Sequence, residues 1–277
     1  MREEVRKLRE IQDPVARGQA VTGLLRDCQA EVTELSRIRR ETLNELKKLG
    51  YTQTQVAEKL GLSRGRIGQI ATSGPAPERA FFGDDDLIVL VGQKKEEGLG
   101  RPVIATATVT AFSRLQAFAA TYSLNARMES VPPPGLVNLN RENLVVLGGP
   151  RMFPMVAQLL EGDPFLRYEL DENDKWSLLD IQTGVRRYSP RLTGENRDLA
   201  YLGRLPRPDG RGNFVVSAGI HPTGTQGGVA YLETALAELY GEVRDKRFSV
   251  VIECEFDPET LEVTSAHKVT PIYRHPA

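Results

Sequence analysis

Tyr51-Thr52-Gln53-Thr54-Gln55-Val56-Ala57-Glu58-Lys59-Leu60-Gly61-Leu62-Ser63-Arg64-Gly65-Arg66-Ile67-Gly68-Gln69-Ile70 is punctuated as two short helices joined by a turn. Thr52 followed by Gln55 is a capping box, in which hydroxyl and amide satisfy the free N–H groups of a helix start. Val56 and Leu60, one turn apart, form an apolar stripe, and the small Ala57 lets a second helix approach closely. Gly61 ends the helix, since glycine takes the left-handed conformation without steric cost. Leu62 fills the corner of the turn. Ser63 caps a second short helix in which Ile67 and Ile70 face inward while Arg64, Arg66 and Gln69 face out. Arginine forks onto guanine, and glutamine onto adenine, when a helix lies in the major groove, so the spacing predicts a DNA-reading helix-turn-helix rather than a charged hairpin. Gln53, Ser63, Arg64, Arg66 and Gln69 are the expected DNA contacts.

Leu60 to Ile70 resembles region 4 of bacterial sigma-70 factors, and more closely the sigma-like regulatory proteins that carry Leu-Gly-Leu-Ser-Arg-Gly-Arg-Ile-Gly-Gln-Ile. That resemblance implies that Arg64 and Gln69 reach base edges and that Ser63 touches phosphate. Sigma factors carry Glu and Arg where this chain has Gly65 and Gly68. The likeness to true sigma factors is confined to the helical N-terminal region and includes no counterpart of the segment that melts promoter DNA. It therefore implies a regulator rather than a sigma factor.

The chain has 277 residues, 40% hydrophobic and 26% charged, enough for two soluble domains with ordinary cores. Its formal charge of -1 hides an asymmetry. Residues 1–80 hold 15 Lys+Arg against 11 Asp+Glu, or +4, and the remainder carries -5. The helical end is thus the basic end, as nucleic-acid binding requires. Two cysteines, Cys28 and Cys254, lie far apart without metal-like spacing and read as free thiols in a reducing compartment. No metal site is expected. Met1-Arg2-Glu3-Glu4 is not an apolar signal region, and no apolar run is long enough for a bilayer, so a cytoplasmic protein without membrane association is expected.

Asp13-Pro14 opens a helix, and Leu24, Leu25, Cys28, Val32, Leu35, Leu43 and Leu46 continue with helical spacing until Gly50. One long helix, or two, precedes the reading unit, and its apolar stripe suits either packing on that unit or a homodimer that reads paired half-sites. No heptad array stands out. Residues 73–78 read as a linker, and after Asp84-Asp85-Asp86 short β-branched runs alternate with helical patterns. Leu87–Val91, Val103–Thr106, Asn143–Leu147, Leu199–Leu205, Phe214–Ile220, Phe248–Phe256 and Leu261–Tyr273 are expected strands. Helices are expected over Val109–Tyr122, Met152–Leu160 and Val229–Tyr240. Phe165–Leu170, Trp176–Ile181 and Val185–Tyr188, separated by polar turns, read as an antiparallel meander.

The expected fold class is α+β overall. An N-terminal all-α helix-turn-helix domain, residues 1–80, is followed by a Rossmann-like α/β domain, residues 81–277, with the antiparallel β meander as an insertion. The second domain, through Leu147-Gly148-Gly149-Pro150-Arg151 and Ala218-Gly219-Ile220-His221-Pro222-Thr223-Gly224-Thr225, resembles the uncharacterised Rossmann-like C-terminal region of the same sigma-like regulators.

Two glycine-rich loops in it, Gly148 to Arg151 and His221 to Gly228, each join an apolar strand to a helical pattern. In a parallel sheet such loops emerge over the carboxyl ends of the strands, where helix N-termini and glycine backbone accept anions. Gly148, Gly149, Arg151, His221, Thr223, Gly224 and Thr225 are therefore the expected pocket for a small anionic ligand, a nucleotide or another phosphate-bearing molecule. No resident cofactor is implied, since neither the dinucleotide fingerprint nor the Walker lysine loop is present. His221 is the one acid/base candidate, with Asp163 or Asp180 as possible neighbours, but no nucleophile elbow or carboxylate pair accompanies it, so no catalytic residue is assigned. Docking of RNA polymerase or another protein is the remaining reading.

Overall fold

The computed structural model describes residues 2–73, 77–83, 86–96, 100–133 and 135–276. Half of the linker expected at 73–78, residues 74–76, and Asp84-Asp85 lie outside the described residues. Two compact units divide between Arg79 and Ala80. Among the described residues no helix is long and apolar enough to cross a membrane.

The first unit comprises α1 (Arg2–Glu10), α2 (Pro14–Lys48), α3 (Gln53–Leu60) and α4 (Arg64–Ser73). Asp13 caps α2, accepting from the Ala16 amide at 2.8 Å, and Pro14 sits at the first helical position, where a missing N–H costs nothing. The capping box of α3 is complete: the Thr52 amide donates to Gln55 Oε1 at 2.8 Å and the Gln55 amide donates to Thr52 Oγ1 at 3.3 Å. Gly61 ends α3 at φ 63 and ψ 32, and Ser63 Oγ accepts from the Arg66 amide at 3.1 Å at the start of α4.

Leu43, Val56, Ala57, Ile67 and Ile70 form the core of this unit, with Leu46, Tyr51 and Leu62 packed around it. Leu60, expected in the stripe with Val56, is 41% exposed instead. It is the last residue of a helix whose buried positions are Val56 and Ala57, and the chain turns away immediately after it. Along α2, Val21, Leu25, Val32 and Leu35 are exposed, and with the half-buried Cys28 they recur at intervals of four and three residues. That is the period of a coiled-coil seam over two heptads, overlooked in the sequence because Leu24, Ile38 and Leu43 blur it.

The second unit is α+β. Its strands are β1 (Leu87–Gly92), β2 (Lys94–Lys95), β3 (Pro102–Val103), β4 (Ala126–Val131), β5 (Leu144–Leu147), β6 (Leu166–Leu170), β7 (Trp176–Asp180), β8 (Arg186–Tyr188), β9 (Arg197–Pro206), β10 (Asn213–Gly219), β11 (Phe248–Phe256), β12 (Val263–Lys268) and β13 (Tyr273–Arg274). Three helices accompany them: α5 (Thr106–Thr121), α6 (Met155–Leu159) and α7 (Pro222–Val243). The main sheet runs β12-β11-β9-β10-β5-β1-β4, with β13 pairing beside β12 along β11. Its half β4-β1-β5-β10 is parallel, and β9 is antiparallel to both its neighbours. This mixed, partly parallel sheet is compatible with a Rossmann-like domain.

β1 and β5 are apolar at nearly every position because both faces of the sheet are covered. Leu115 and Ala119 of α5 and Leu232, Leu236 and Leu239 of α7 pack on one face. Val156 of α6 and Leu166, Tyr168 and Leu178 of the β6-β7-β8 meander pack on the other. Since α5 leaves β1 on one face and α6 leaves β5 on the other, the chain parts above the carboxyl ends of these strands, which is where α/β sheets open a crevice.

Four expectations change, the first in the last strand, where Leu261–Tyr273 divides into β12 and β13. Val103–Thr106 is no strand; only Pro102–Val103 pairs, in a small hairpin with β2, and α5 begins at Thr106. β4 escapes the sequence reading because it is an edge strand with four of six side chains at least partly exposed. Most consequential, α7 begins at Pro222 rather than Val229, so the glycines taken for a loop are helical. A Cβ on Gly224 would meet Leu199 O at 2.3 Å, one on Gly227 the Cys254 Sγ at 2.5 Å, and one on Gly228 the Ser217 Oγ at 2.1 Å. These glycines cost helix propensity and gain close approach of the helix backbone to β9, β10 and β11.

Gly149 is the tightest such contact in the crevice, since a Cβ there would lie 1.6 Å from Gly219 O. Gly149→Ala is expected to lose on the order of 3 kcal/mol by overpacking. Gly162→Ala, where nothing lies within 4 Å, is expected to be close to neutral. Urea unfolding of the two variants side by side measures the difference.

Candidate functional site

Above the carboxyl ends of the parallel strands lies an open cavity of about 500 Å³. Its walls come from the start of α5 (Ala105, Thr106, Ala107), the turn after β5 (Arg151, Met152), the start of α7 (His221, Pro222, Thr223), and Lys94, Arg191 and Leu261. A narrow annex lined by Thr108, Gly149, Gly219 and Thr225 shares Arg151, Met152, His221 and Pro222 with it. Two helices of 16 and 22 residues therefore present their positive ends to one cavity. At the start of α5 stands Ala105, which makes no side-chain cap.

Behind His221 sits Asp198, a carboxylate with no exposed surface. It accepts from Ser189 Oγ at 2.6 Å, Thr223 Oγ1 at 2.7 Å, the Gly224 amide at 2.7 Å and the Leu199 amide at 2.9 Å. His221 Nδ1 lies 3.2 Å from the same carboxylate. A carboxylate only accepts, so Nδ1 carries the hydrogen and Nε2 is left as the acceptor, facing Arg151 Nη1 at 3.3 Å. Arg191, on a short 3-10 helix (Pro190–Thr193), donates to Thr223 Oγ1 at 3.4 Å and lies over the Phe256 ring at 5.3 Å. Cys254 beneath α7 donates to Thr223 O, and burial pushes its thiol up to about 12, which makes it inert.

Of the seven residues expected to form the pocket, Arg151, His221 and Thr223 line the cavity. Gly149 and Thr225 reach only the annex, and Gly148 and Gly224 line neither. Thr225 is fully buried, and its hydroxyl accepts from the Gly219 amide at 3.0 Å. Gly148 bonds across to β10 through Ser217 O, and the Gly224 amide is taken by Asp198. These four hold the crevice together rather than face its contents. The turn at Gly148 to Arg151 does not run into a long helix, because α6 spans only five residues. Instead α5, unsuspected this close to the crevice, brings the second N-terminus. Asp198, Lys94, Arg191 and Thr108 were missed. Asp198 stands at the end of the polar stretch Glu195-Asn196-Arg197-Asp198, just before the apolar run from Leu199, so nothing local marked it.

Asp163 and Asp180 do not accompany His221. Asp163 accepts from Tyr201 Oη at 2.7 Å and the Phe165 amide at 2.8 Å, and faces His275 Nε2 at 3.4 Å; Asp180 accepts from Tyr273 Oη at 2.6 Å. They button the meander to the last strand, β13. Burial alone would raise the Asp163 carboxyl, yet His275, the Phe165 amide and Tyr201 together hold it below the ordinary value. A carboxyl with a lowered folded value stabilises above its unfolded value of about 3.9 and loses that contribution as pH falls through the folded one. Asp163→Asn is therefore expected to flatten the acid limb of a pH series of urea midpoints below about pH 4 while lowering stability near neutrality.

In the first unit Gln53, Ser63, Arg64, Arg66 and Gln69 are all exposed, with Arg66 Nη1 donating to Gln69 Oε1 at 3.2 Å. The described residues contain no group of His, Cys, Asp and Glu side chains suited to a metal. Against known proteins, no family model matches the chain, and neither a curated protein nor a solved structure shows significant similarity.

Replacing Asp198 by Asn would turn an amide NH₂ toward donors and leave the Thr223 or the Ser189 hydroxyl without its acceptor in the interior. The expected cost is about 3 kcal/mol or more, because hydrogen bonds to a buried charge are the strong ones. Chemical denaturation of Asp198→Asn against wild type reads it directly.

Proposed function

We propose that the chain is a sequence-specific DNA-binding transcriptional regulator whose second unit senses a small anionic ligand. The observation that carries the first part is the division of α4, with Ile67 and Ile70 buried in the core and Arg64, Arg66 and Gln69 exposed on the opposite face. A short helix held by its own caps, with base-reading side chains outward, is how a helix-turn-helix presents its recognition element. The likeness of Leu60 to Ile70 to sigma-like regulators supports the same reading.

For the second part the support is the cavity itself, where cations and two helix starts converge and a volume of about 500 Å³ suits a nucleotide-sized molecule. Regulation requires that the ligand favour one arrangement of the protein over another, with a coupling of about 1–3 kcal/mol felt equally by ligand and DNA. One α4 reads few base pairs, and the exposed α2 seam of Val21, Leu25, Cys28, Val32 and Leu35 suits a two-stranded coiled coil, so the working form is a homodimer.

An enzymatic reading is favoured by one specific observation, the Asp198–His221 pair, since a carboxylate on Nδ1 orients Nε2 as a general base does. Turnover of a bound metabolite that is lost in His221→Gln with binding retained would establish it.

Arg64→Ala is expected to cost about 1–3 kcal/mol of discrimination at one base position, whereas Arg66→Ala weakens all sequences alike and lowers the salt slope by about 1. Selection of binding sites from random DNA, followed by anisotropy titrations at several salt concentrations, checks both. Unchanged preference and affinity in both variants would sink the DNA-reading assignment. In sedimentation, wild type is expected to be dimeric and the double variant Leu25→Glu, Leu35→Glu monomeric, with correspondingly weaker operator binding.

A further inference from the structure

Lys94, Arg151 and Arg191 stand at the rim of the cavity, and among the described residues none forms an ion pair with a carboxylate. Asp198 offsets only one of the three charges and pairs with none of them directly, its oxygens being taken by the Ser189, Thr223, Leu199, Gly224 and His221 donors. Three positive side chains around one opening leave an excess that a single negative charge would not balance. The two helix starts differ as well. Asp198 already neutralises that of α7, whereas that of α5 has no cap from Ala105.

A separate observation points to a bound group. Thr108, on the first turn of α5, is 1% exposed, and its Oγ1 has no hydrogen-bond partner. It lines the annex beside Arg151 and His221. A buried hydroxyl without a partner costs roughly 1–3 kcal/mol; the annex holds no water-sized space as it stands, so a ligand oxygen removes that cost by widening it from the cavity side.

Nε2 of His221 is an acceptor in this arrangement, and a phosphate oxygen brought against it would meet lone pair with lone pair. The groups in contact with the ring are Asp198 on β9 and Arg151 after β5, while Arg191 on the 3-10 helix and Lys94 on β2 line the same cavity. A dianion seated there turns Nε2 from an acceptor into the donor it needs, with Asp198 behind Nδ1 as partner of the charged ring.

We infer that the ligand is a phosphate-bearing dianion, a phosphomonoester or the diphosphate end of a nucleotide, seated at the uncapped start of α5 against Thr108 and Arg151, and that it binds together with one proton taken up at His221 Nε2. This rests on the reading of the second unit as an anion sensor and specifies its ligand. The oxygens of the ligand replace His221 as partners of Arg151, and the new Nε2–H donates to the ligand. Met152, Leu261 and the two alanines of the α5 start leave apolar wall for the remainder of the molecule.

The test is calorimetry of the full chain with inorganic phosphate, pyrophosphate and sulfate at about pH 8, where an ordinary imidazole is neutral. Each titration is repeated in buffers of different ionisation enthalpy, so that the observed heat reports protons exchanged. Pyrophosphate is expected to bind more tightly than phosphate or sulfate, with uptake close to one proton per site. In His221→Gln the uptake falls to near zero and affinity drops about tenfold, the effect of losing one charge-assisted hydrogen bond. Thr108→Val, which removes a hydroxyl with no partner in the empty protein, is expected to leave thermal stability unchanged or raised while weakening pyrophosphate several-fold. Binding without proton uptake, or uptake that persists in His221→Gln, overturns the inference while the sensor reading stands. A ligand without phosphate, recovered from cell extract on the folded protein and identified by mass spectrometry, does the same. No binding of these anions or of any extract component to the folded chain removes both.

Discussion

The Asp198 carboxylate is the constraint on which the second unit is organised. Moving an ionised carboxylate into an interior costs several kcal/mol unless its oxygens are fully used, and Asp198 uses them on donors from its own strand, the turn at Ser189, the first turn of α7 and the His221 ring. One buried charge thereby sets where α7 begins, which way its first hydroxyl points and which nitrogen of His221 faces the cavity. Without that anion the Thr223 hydroxyl would lose its acceptor in the interior, and the Gly224 amide would keep only the His221 carbonyl.

Close approach of backbones is the second condition. Gly149 against Gly219 brings the carboxyl ends of β5 and β10 together, and Gly224, Gly227 and Gly228 let α7 lie almost directly on the strands. The same chain that forgoes helix propensity at these positions gains a helix anchored at its first turn, where its dipole meets the site. At the opposite end of the sheet Arg204 has an analogous part. It is buried, donates to the carbonyls of Arg244 and Phe81 and lies over the Phe81 ring at 4.5 Å, so the first turn of the unit is fastened to the end of α7. Burial pulls its guanidinium down to about 10, a cost that the carbonyl and aromatic contacts offset.

In the first unit the physics is local. Thr52 and Gln55 close the start of α3, Gly61 turns the chain, Ser63 opens α4, and each contact spans three residues or fewer. Local interactions of this kind are written in consecutive residues and can be read there. The exposed α2 seam illustrates the opposite: its apolar positions are visible in the sequence, but only the structure distinguishes an exposed apolar face from a stripe packed on the core.

What the sequence determined by itself was the pair of capped helices, the apolar β1 and β5, the meander with its polar turns, and the grouping of Arg151, His221 and Thr223 near one sheet edge. Each rests on short-range periodicity or on residues with restricted backbone preferences. Only the tertiary structure decided that Pro222 to Gly228 is helix, that Gly224 and Thr225 face the sheet, and that α5 brings the uncapped helix start to the crevice. It likewise brought Asp198 to His221 from 23 residues away and left Asp163 and Asp180 beneath the meander. The reason is that a glycine in a turn and a glycine in a tight contact look alike in sequence. Likewise, the partner of a buried charge is chosen by which strands lie side by side, information carried by the sheet order and by no local pattern.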